Sequence, residues 1–266
     1  MATHTCPGAP EPYSPCLGLG LRARCAECTV QVCEAVAQIG LAHHEAEAIT
    51  HLKQATARLG ADAAMYTSFV RDDATYASYR SLLACDPRWA AEYARNGWCA
   101  DDPWLHYALH CSEPIRASEL PMLSPRQRLV AHAAAEYGFR SAVIVPTPSP
   151  AGQSRVGVLC LGSASEGYFE DPAYGRIKAL VRGLAMELQD WWHRRIKAEL
   201  VARAHISADD LELLRHEDLG HSSKVIAKAL GTEAKTIDCR FQRLNIKLDA
   251  VNRREAVRRA KLYGLI

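Results

Sequence analysis

Nothing in the 266-residue chain approaches the run of about 20 apolar residues needed to cross a bilayer. The segment Met1 to Pro15 has neither a basic start nor an apolar stretch. Membrane association and secretion are therefore not expected, and a cytoplasmic location is. The short motifs of common enzymes are missing too: there is no G-x-S-x-G, no H-E-x-x-H and no G-x-x-x-x-G-K-[ST]. Eleven histidines, His43, His44, His106 and His110 among them, show no recognisable ligand spacing. Neither catalysis nor a bound metal or cofactor is expected. The ten cysteines (6, 16, 25, 28, 33, 85, 99, 111, 160 and 239) are scattered through a chain long enough to do without disulfide staples, and they read as reduced thiols. Cys25 and Cys28 form a C-x-x-C with Cys33 close by, yet no second pair or matching histidines complete a tetrahedral zinc site. Small thiols on an N-terminal helix is one reading of them, and a redox pair or thiol sensor is the other.

What is present fits a globular protein of one or two domains, with 48% hydrophobic and 23% charged residues. The net charge is only +2, but it is unevenly spread. From Leu219 onward, eleven Lys/Arg stand against four Asp/Glu, a balance of +7 that leaves −5 for the preceding 218 residues. A basic terminal module on a mildly acidic body is the pattern of a polyanion-binding appendage, because Lys and Arg that neutralise phosphates release counterions. A merely solvated helical surface is the alternative.

Residues 1–24 hold Pro7, Pro10, Pro12 and Pro15 with Gly8, Gly18 and Gly20, a composition that predicts a flexible leader. From Val30 to Leu59 the apolar spacing predicts two helices around Gly40. Ala63–Val70, Ala142–Val145 and Arg155–Leu161 read as strands, Pro125–Tyr137 as a helix, and Pro172–Ile196 as a longer one. Helices flanking a few antiparallel strands predict an α/β sandwich able to enclose something small.

The terminal segment is more legible. Ser207 is an expected N-cap for a helix over Ala208–Glu217, ended at Gly220. Ser222 caps a second over Ser223–Leu230, with Val225, Ile226, Ala229 and Leu230 expected to face inward. Thr232 caps a third over Glu233–Leu248, with Ile237, Phe241, Leu244 and Leu248 inside. Its expected outer face shows Lys235, Thr236, Arg240, Arg243 and Lys247, with Lys224 on the helix before it. Two helices joined by a few residues, the second exposing donors, can lay a helix in the major groove, where Arg pairs with guanine. Arg253, Arg254, Arg258 and Arg259 fall on a fourth helix and either touch phosphates or solvate its surface.

These motifs carry a resemblance. The run S-x-x-D-x-x-x-L from Ser207, then Gly220, the block S-S-K-V-I-A-K-A-L-G-T, Thr236-Ile237, Lys247-Leu248 and the ending N-R-R-E-A-V-R-R-A-K-L-Y-G-L-I resemble the LuxR-type helix-turn-helix along its length. The resemblance implies a four-helix module, with Ala234–Lys247 as recognition helix and the helix after Asn252 available for dimer contacts. The chain departs from the family where Val225, Asp210, Asp238 and Arg240 replace the usual Glu, Glu, Lys and His. An acid at 238 is expected close to the phosphates, weakening binding or shifting its sequence preference.

The body resembles the autoinducer-binding domain of acyl-homoserine-lactone receptors over roughly Ile49–Trp192. The resemblance is carried by Trp89, Tyr93, Asp102 and Pro103 in D-P-R-W-A-A-E-Y-A-R-N-G-W-C-A-D-D-P-W, by Pro114-Ile115, and by Y-G-F-R-S-A-V-I-V-P from Tyr137. It implies that Trp89 donates to a lactone carbonyl, Asp102 accepts from the ligand amide, and Tyr93 lies against the acyl end. Without a ligand, Trp89 reads as a packed aromatic and Asp102 as a helix-capping or surface acid. Three positions depart: Cys85 stands where a ligand-facing tyrosine is usual, Ala117 where a tryptophan walls the ring, and Ala142 where a glycine is usual. Cys160 and Met65 are further candidates for the cavity wall, or for the core.

Together these readings predict an α+β protein: an α/β/α sandwich sensor with an antiparallel sheet over 25–195, a linker at 196–204, and an all-α helix-turn-helix domain over 205–266. The expected function is a homodimeric regulator of the quorum-sensing type on double-stranded promoter DNA, controlled by an acyl-homoserine lactone or related small ligand. The alternatives are a ligand-independent orphan regulator, or one acting through protein contacts or thiol sensing.

Overall fold

A computed structural model describes residues 26–71, 77–149 and 155–266. The expected leader, and Cys25 of the C-x-x-C, lie outside them. The chain divides into two compact units, one comprising Met1–Thr67, Arg80–Thr147 and Gly157–Leu188, the other Ser68–Tyr79, Pro148–Val156 and Gln189–Ile266.

The first unit begins with two helices, α1 (Ala26–Leu41) and α2 (Glu45–Arg58). Gly40 lies inside α1, and the break falls at 42–44 instead. There the His44 ring accepts from Glu47 N–H, and the Glu47 carboxylate accepts from His43 N–H in return. Val32, Ala35 and Ile39 of α1 and Ala48, Leu52 and Ala55 of α2 recur at helical spacing and are buried.

A five-stranded sheet follows, in the order β2-β1-β5-β4-β3, with β1 Ala63–Arg71, β2 Ala77–Ala84, β3 Ile115–Arg116, β4 Ser141–Thr147 and β5 Arg155–Ser163. β4 runs antiparallel to both neighbours, Ile144 pairing with Ile115 on one side and Cys160 on the other. Every residue of β4 and β5 is buried, as expected of central strands covered on both faces. Helices α3 (Arg88–Arg95), α4 (Pro103–His110) and α5 (Pro125–Ala134) lie between β2 and β4 in sequence. The helix expected over Pro125–Tyr137 stops regular winding at Ala134 and opens into a wide turn over Ala135–Phe139, because Gly138 takes φ +91°. That turn comes so close to β5 that a Cβ on Gly162 would lie 2.5 Å from both Gly138 O and Phe139 Cδ1. The architecture is the predicted α+β one.

Helix α6 spans Tyr174–Ala204, two turns beyond the expected end at Ile196. Residues 196–204, expected as a linker, therefore continue this helix. Lys197 to Ala204 contains no breaker, and winding ends only at His205, which takes φ +50°.

The second unit contains four further helices: α7 (Ala208–Asp218), α8 (Ser223–Ala229), α9 (Ala234–Lys247) and α10 (Arg253–Leu262). Ser207, Ser222 and Asn252 each accept a hydrogen bond from the third residue on, so local chemistry sets where three of them begin. Thr232 does not cap α9; Glu233 occupies that position and makes no side-chain cap bond. Leu213, Leu214, Ile226, Ile237, Phe241, Leu244, Ala256, Ala260 and Leu265 form one core. Val225 and Ala229 are exposed rather than inward, because one turn of α8 presents only Ile226 and Ala227 to that core. Among the described residues no helix is long and apolar enough to cross a membrane.

Candidate ligand pocket and nucleic-acid interface

Strand alternation assigns the sheet's faces in the first unit. Ala142 and Ile144 of β4 pair with Gly162 and Cys160 of β5, and Phe139 packs on Gly162. A Cβ on Gly138 would lie 3.0 Å from that of Ala63, which puts Ala63 and, two residues on, Met65 on the same face. The Thr67–Ser81 hydroxyl contact of 2.9 Å extends this face to β2, and Cys85 follows just past its end.

Over that face lies an aromatic cluster centred on Trp89. Its ring centroid lies 5.6 Å from Tyr93, 5.7 Å from Trp98, 5.5 Å from Tyr137 and 6.4 Å from Phe139. Trp104 stands 5.9 Å from Phe139, centroid to centroid. Helix α3 supplies Trp89 and Tyr93 one turn apart, and the start of α4 supplies Asp102 and Trp104.

Asp102 is both a helix cap and a buried acid. Its Oδ1 accepts from Trp104 N–H at 2.8 Å and Leu105 N–H at 3.3 Å, and its Oδ2 accepts from Tyr93 Oη–H at 2.7 Å. Burial pushes its carboxyl above the usual range, and the three donors pull partly back. Tyr93 rises for the same reason, burial first and then the Asp102 charge. Burial lifts the Cys85 thiol to about 11, and it lifts Cys160 and Cys99 with help from Asp102. The structure thus brings Tyr93 and Cys160 to the buried Asp102 carboxylate, with Trp89 packed on Tyr93 and Cys85 near Cys160.

Ala142 and Met65 share the sheet face, and the extra methyl at 142 sits beside Gly162, which has no side chain to crowd it. Ala117 belongs to a turn that packs against β4. It is half-buried in a short turn after β3, next to Arg116, which pairs with Glu119 at 2.6 Å and Glu170 at 2.8 Å. Cys85 also lines a groove of about 340 Å³ together with Lys53, Thr56, Asp62 and Asp86.

Two donors in this region lack acceptors among the described residues: the buried indole nitrogens of Trp89 and Trp104. Trp104 was not singled out from the sequence. Its place directly after Asp102-Pro103 was the available signal.

In the second unit the cations sort into two classes. Lys247 is held by Asp210 at 2.6 Å and by the His205 carbonyl at 2.7 Å, so its ammonium is committed to joining α9 to the start of α7. Arg253 stacks over Phe241 at 4.2 Å and pairs with Asp238 at 2.5 Å, with Ser223 joining both. The acid at 238 therefore spends its charge on Arg253, and its carboxyl is held below the usual range by Ser223 and Arg253. Arg258 and Arg259 pair with Glu255, Arg259 also with Asp249, and Lys261 with Asp218. Lys224, Lys228, Lys235, Arg240, Arg243 and Arg254 have no ion pair among the described residues. Arg240 is half-buried and Arg243 exposed on α9, one turn apart, with Lys235 exposed and Thr236 half-buried in its first turn.

The model of the autoinducer binding domain matches residues 44–185. Among solved structures, SdiA in complex with octanoyl-rac-glycerol superimposes with a TM-score of 0.67 at 17% identity, covering 91% of this chain and 98% of that one. Escherichia coli SdiA gives 0.66 at 18%, covering 88% and 97%. The N-acylhomoserine-lactone-dependent LuxR-family transcription factor CepR2 of Burkholderia cenocepacia gives 0.55 at 17%, covering 64% and 97%. No curated protein matches. At such identities the structural likenesses establish the fold, and the matched domain spans more than half of the chain: it belongs to the autoinducer-binding-domain family, with the fold of LuxR-type regulators.

Proposed function

We propose that the chain is a transcriptional regulator with a ligand-sensing domain over 25–195 and a DNA-binding domain over 205–266, acting as a homodimer on a two-fold promoter element. The observation that carries the sensing half is the buried Trp89 indole N–H, without an acceptor among the described residues, in the same cluster as the buried Asp102 carboxylate. A donor and an acceptor at one apolar site fit an acyl-homoserine lactone, whose lactone carbonyl would meet Trp89 and whose amide N–H would meet Asp102. The DNA-binding half rests on the unpaired cations of α8 and α9, with Arg240 and Arg243 as base-reading candidates and Lys224, Lys235 and Thr236 beside them. Lys247 serves the fold first, and a phosphate contact from it would have to compete with Asp210.

A second reading has its own observation. Asp102 is satisfied by Tyr93, Trp104 and Leu105 alone, so the sensor can fold with no ligand and the regulator can act without one. The test is the melting temperature and DNA binding of full-length protein produced without lactone, before and after a panel of acyl-homoserine lactones. A saturable rise with one chain length supports the sensor, since binding to the native state alone adds RT ln(1 + [L]/Kd) to its stability. Folded, DNA-binding protein with no shift for any member supports the ligand-independent regulator. Protein that binds no duplex at low salt refutes both.

A further inference from the structure

We infer that Trp104 is a second hydrogen-bond donor at the same aromatic cluster, so that the molecule recognised there carries two acceptor oxygens, one for each orphaned indole. The inference rests on the ligand-sensing reading above.

Buried polar groups in folded proteins are almost always hydrogen-bonded, and an indole N–H has no other use for its nitrogen than to donate. Trp89 is 1% exposed and Trp104 4%, yet neither nitrogen meets an acceptor among the described residues. Both flank Phe139, at 6.4 and 5.9 Å, so the two ring centroids lie within about 12 Å of each other. Phe139 itself is pinned on Gly162, on the sheet face shared by Cys160 and Ala142. Trp104 is further tied to the site because its own backbone N–H donates to Asp102 Oδ1. Were packing its only duty, phenylalanine would fill the space without an unmatched donor.

The acceptor side of the site is nearly saturated, since Asp102 already takes three hydrogen bonds. What the cluster lacks is acceptors. Cys85, standing where a hydroxyl donor is usual, offers only a weak thiol donor. Two buried indole donors among apolar rings call for an apolar molecule with two acceptor oxygens, such as an acyl chain whose linkage and head group each carry a carbonyl.

The test uses the full chain and two probes: N-octanoyl-homoserine lactone, with two carbonyls, and N-cyclopentyl octanamide, which keeps the ring and chain but has one. Wild-type protein is expected to bind the lactone about tenfold more tightly. Trp104→Phe should melt no lower than wild type, because it removes an unmatched buried donor, and should bind the lactone about tenfold more weakly, the cost of one hydrogen bond. Lactone affinity within twofold of wild type in Trp104→Phe overturns the inference and leaves the sensor reading standing. Wild-type protein that binds neither probe overturns both. Should the variant fail to fold, indole N–H spectra of 15N-labelled wild type decide. Two of the five tryptophan signals moving downfield with the lactone is the expected result, and only one moving overturns the second donor.

Discussion

The sorting of cations among the terminal helices makes a quantitative prediction about salt under the proposed DNA-binding role. Each phosphate neutralised by a protein cation contributes about 0.9 to the slope of log K against log salt on duplex DNA. Six cations of the terminal segment have no carboxylate partner among the described residues, while Lys247, Arg253, Arg258, Arg259 and Lys261 are already paired. For a dimer the unpaired set puts a ceiling on the slope near 11 (twelve cations at about 0.9 each). A paired arginine that turns to a phosphate exchanges one anion for another and gains little. Lys235→Ala should therefore lower the slope by about 1.8 per dimer, and Arg258→Ala by much less, since Glu255 retains Arg259 when Arg258 is gone. The assay is fluorescence anisotropy of a labelled 30-base-pair duplex across a potassium chloride series, which needs no knowledge of the operator. Equal slopes for Lys235→Ala and wild type, or equal losses for the two variants, would refute the sorting.

Other perturbations follow from the same geometry. Asp102→Asn keeps an oxygen for the α4 cap and loses a desolvated charge. Because burial raises the folded pKa, ionisation of Asp102 costs stability as pH climbs from the unfolded value through the folded one. The variant should thus show a flatter decline in melting temperature above pH 4, together with weaker lactone binding; a steeper decline would contradict the burial argument. Gly162→Ala puts a methyl 2.5 Å from Gly138 O and 2.9 Å from Phe139 Cα, and since backbone must move, a loss of about 3 kcal/mol by urea unfolding is expected. A loss under about 1 kcal/mol would show that the turn yields easily. Asp210→Ala removes half of a capping box and the partner of Lys247, for a loss of about 2 kcal/mol at neutral pH. Lys247 holds the Asp210 pKa below its ordinary value against the opposing effect of burial, so this contribution fades as pH falls through the folded pKa. An Asp210→Ala penalty that is the same above and below the Asp210 titration, followed in the same pH series, would contradict it.

The parts of the fold legible in the sequence are those whose causes are local. Ser207, Ser222 and Asn252 announce three helix starts because a cap acts on the third residue along, and the apolar spacing of Ile237, Phe241 and Leu244 announces the core side of α9. The spacing does not place strand β2 or helices α3 and α4, since segments of 8 residues are too short for it to separate helix from strand. Long-range pairing also decides which charges already have a partner within the fold. Nothing near Lys247 in sequence reveals Asp210, 37 residues away, and nothing near Asp238 reveals Arg253, so both looked free to face DNA.

The ligand site shows a subtler limit. Trp89, Tyr93 and Asp102 were found by resemblance, and for Asp102 a helix cap and a ligand acceptor had seemed to be rival roles. The geometry makes them compatible, because a carboxylate has two oxygens: Oδ1 caps α4, while Oδ2 takes Tyr93 and keeps a lone pair for a further donor. One residue can therefore hold the fold without a ligand and still recognise one. For the same reason, loss of the cap and loss of binding have to be separated by Asp102→Asn rather than by Asp102→Ala, which removes both at once.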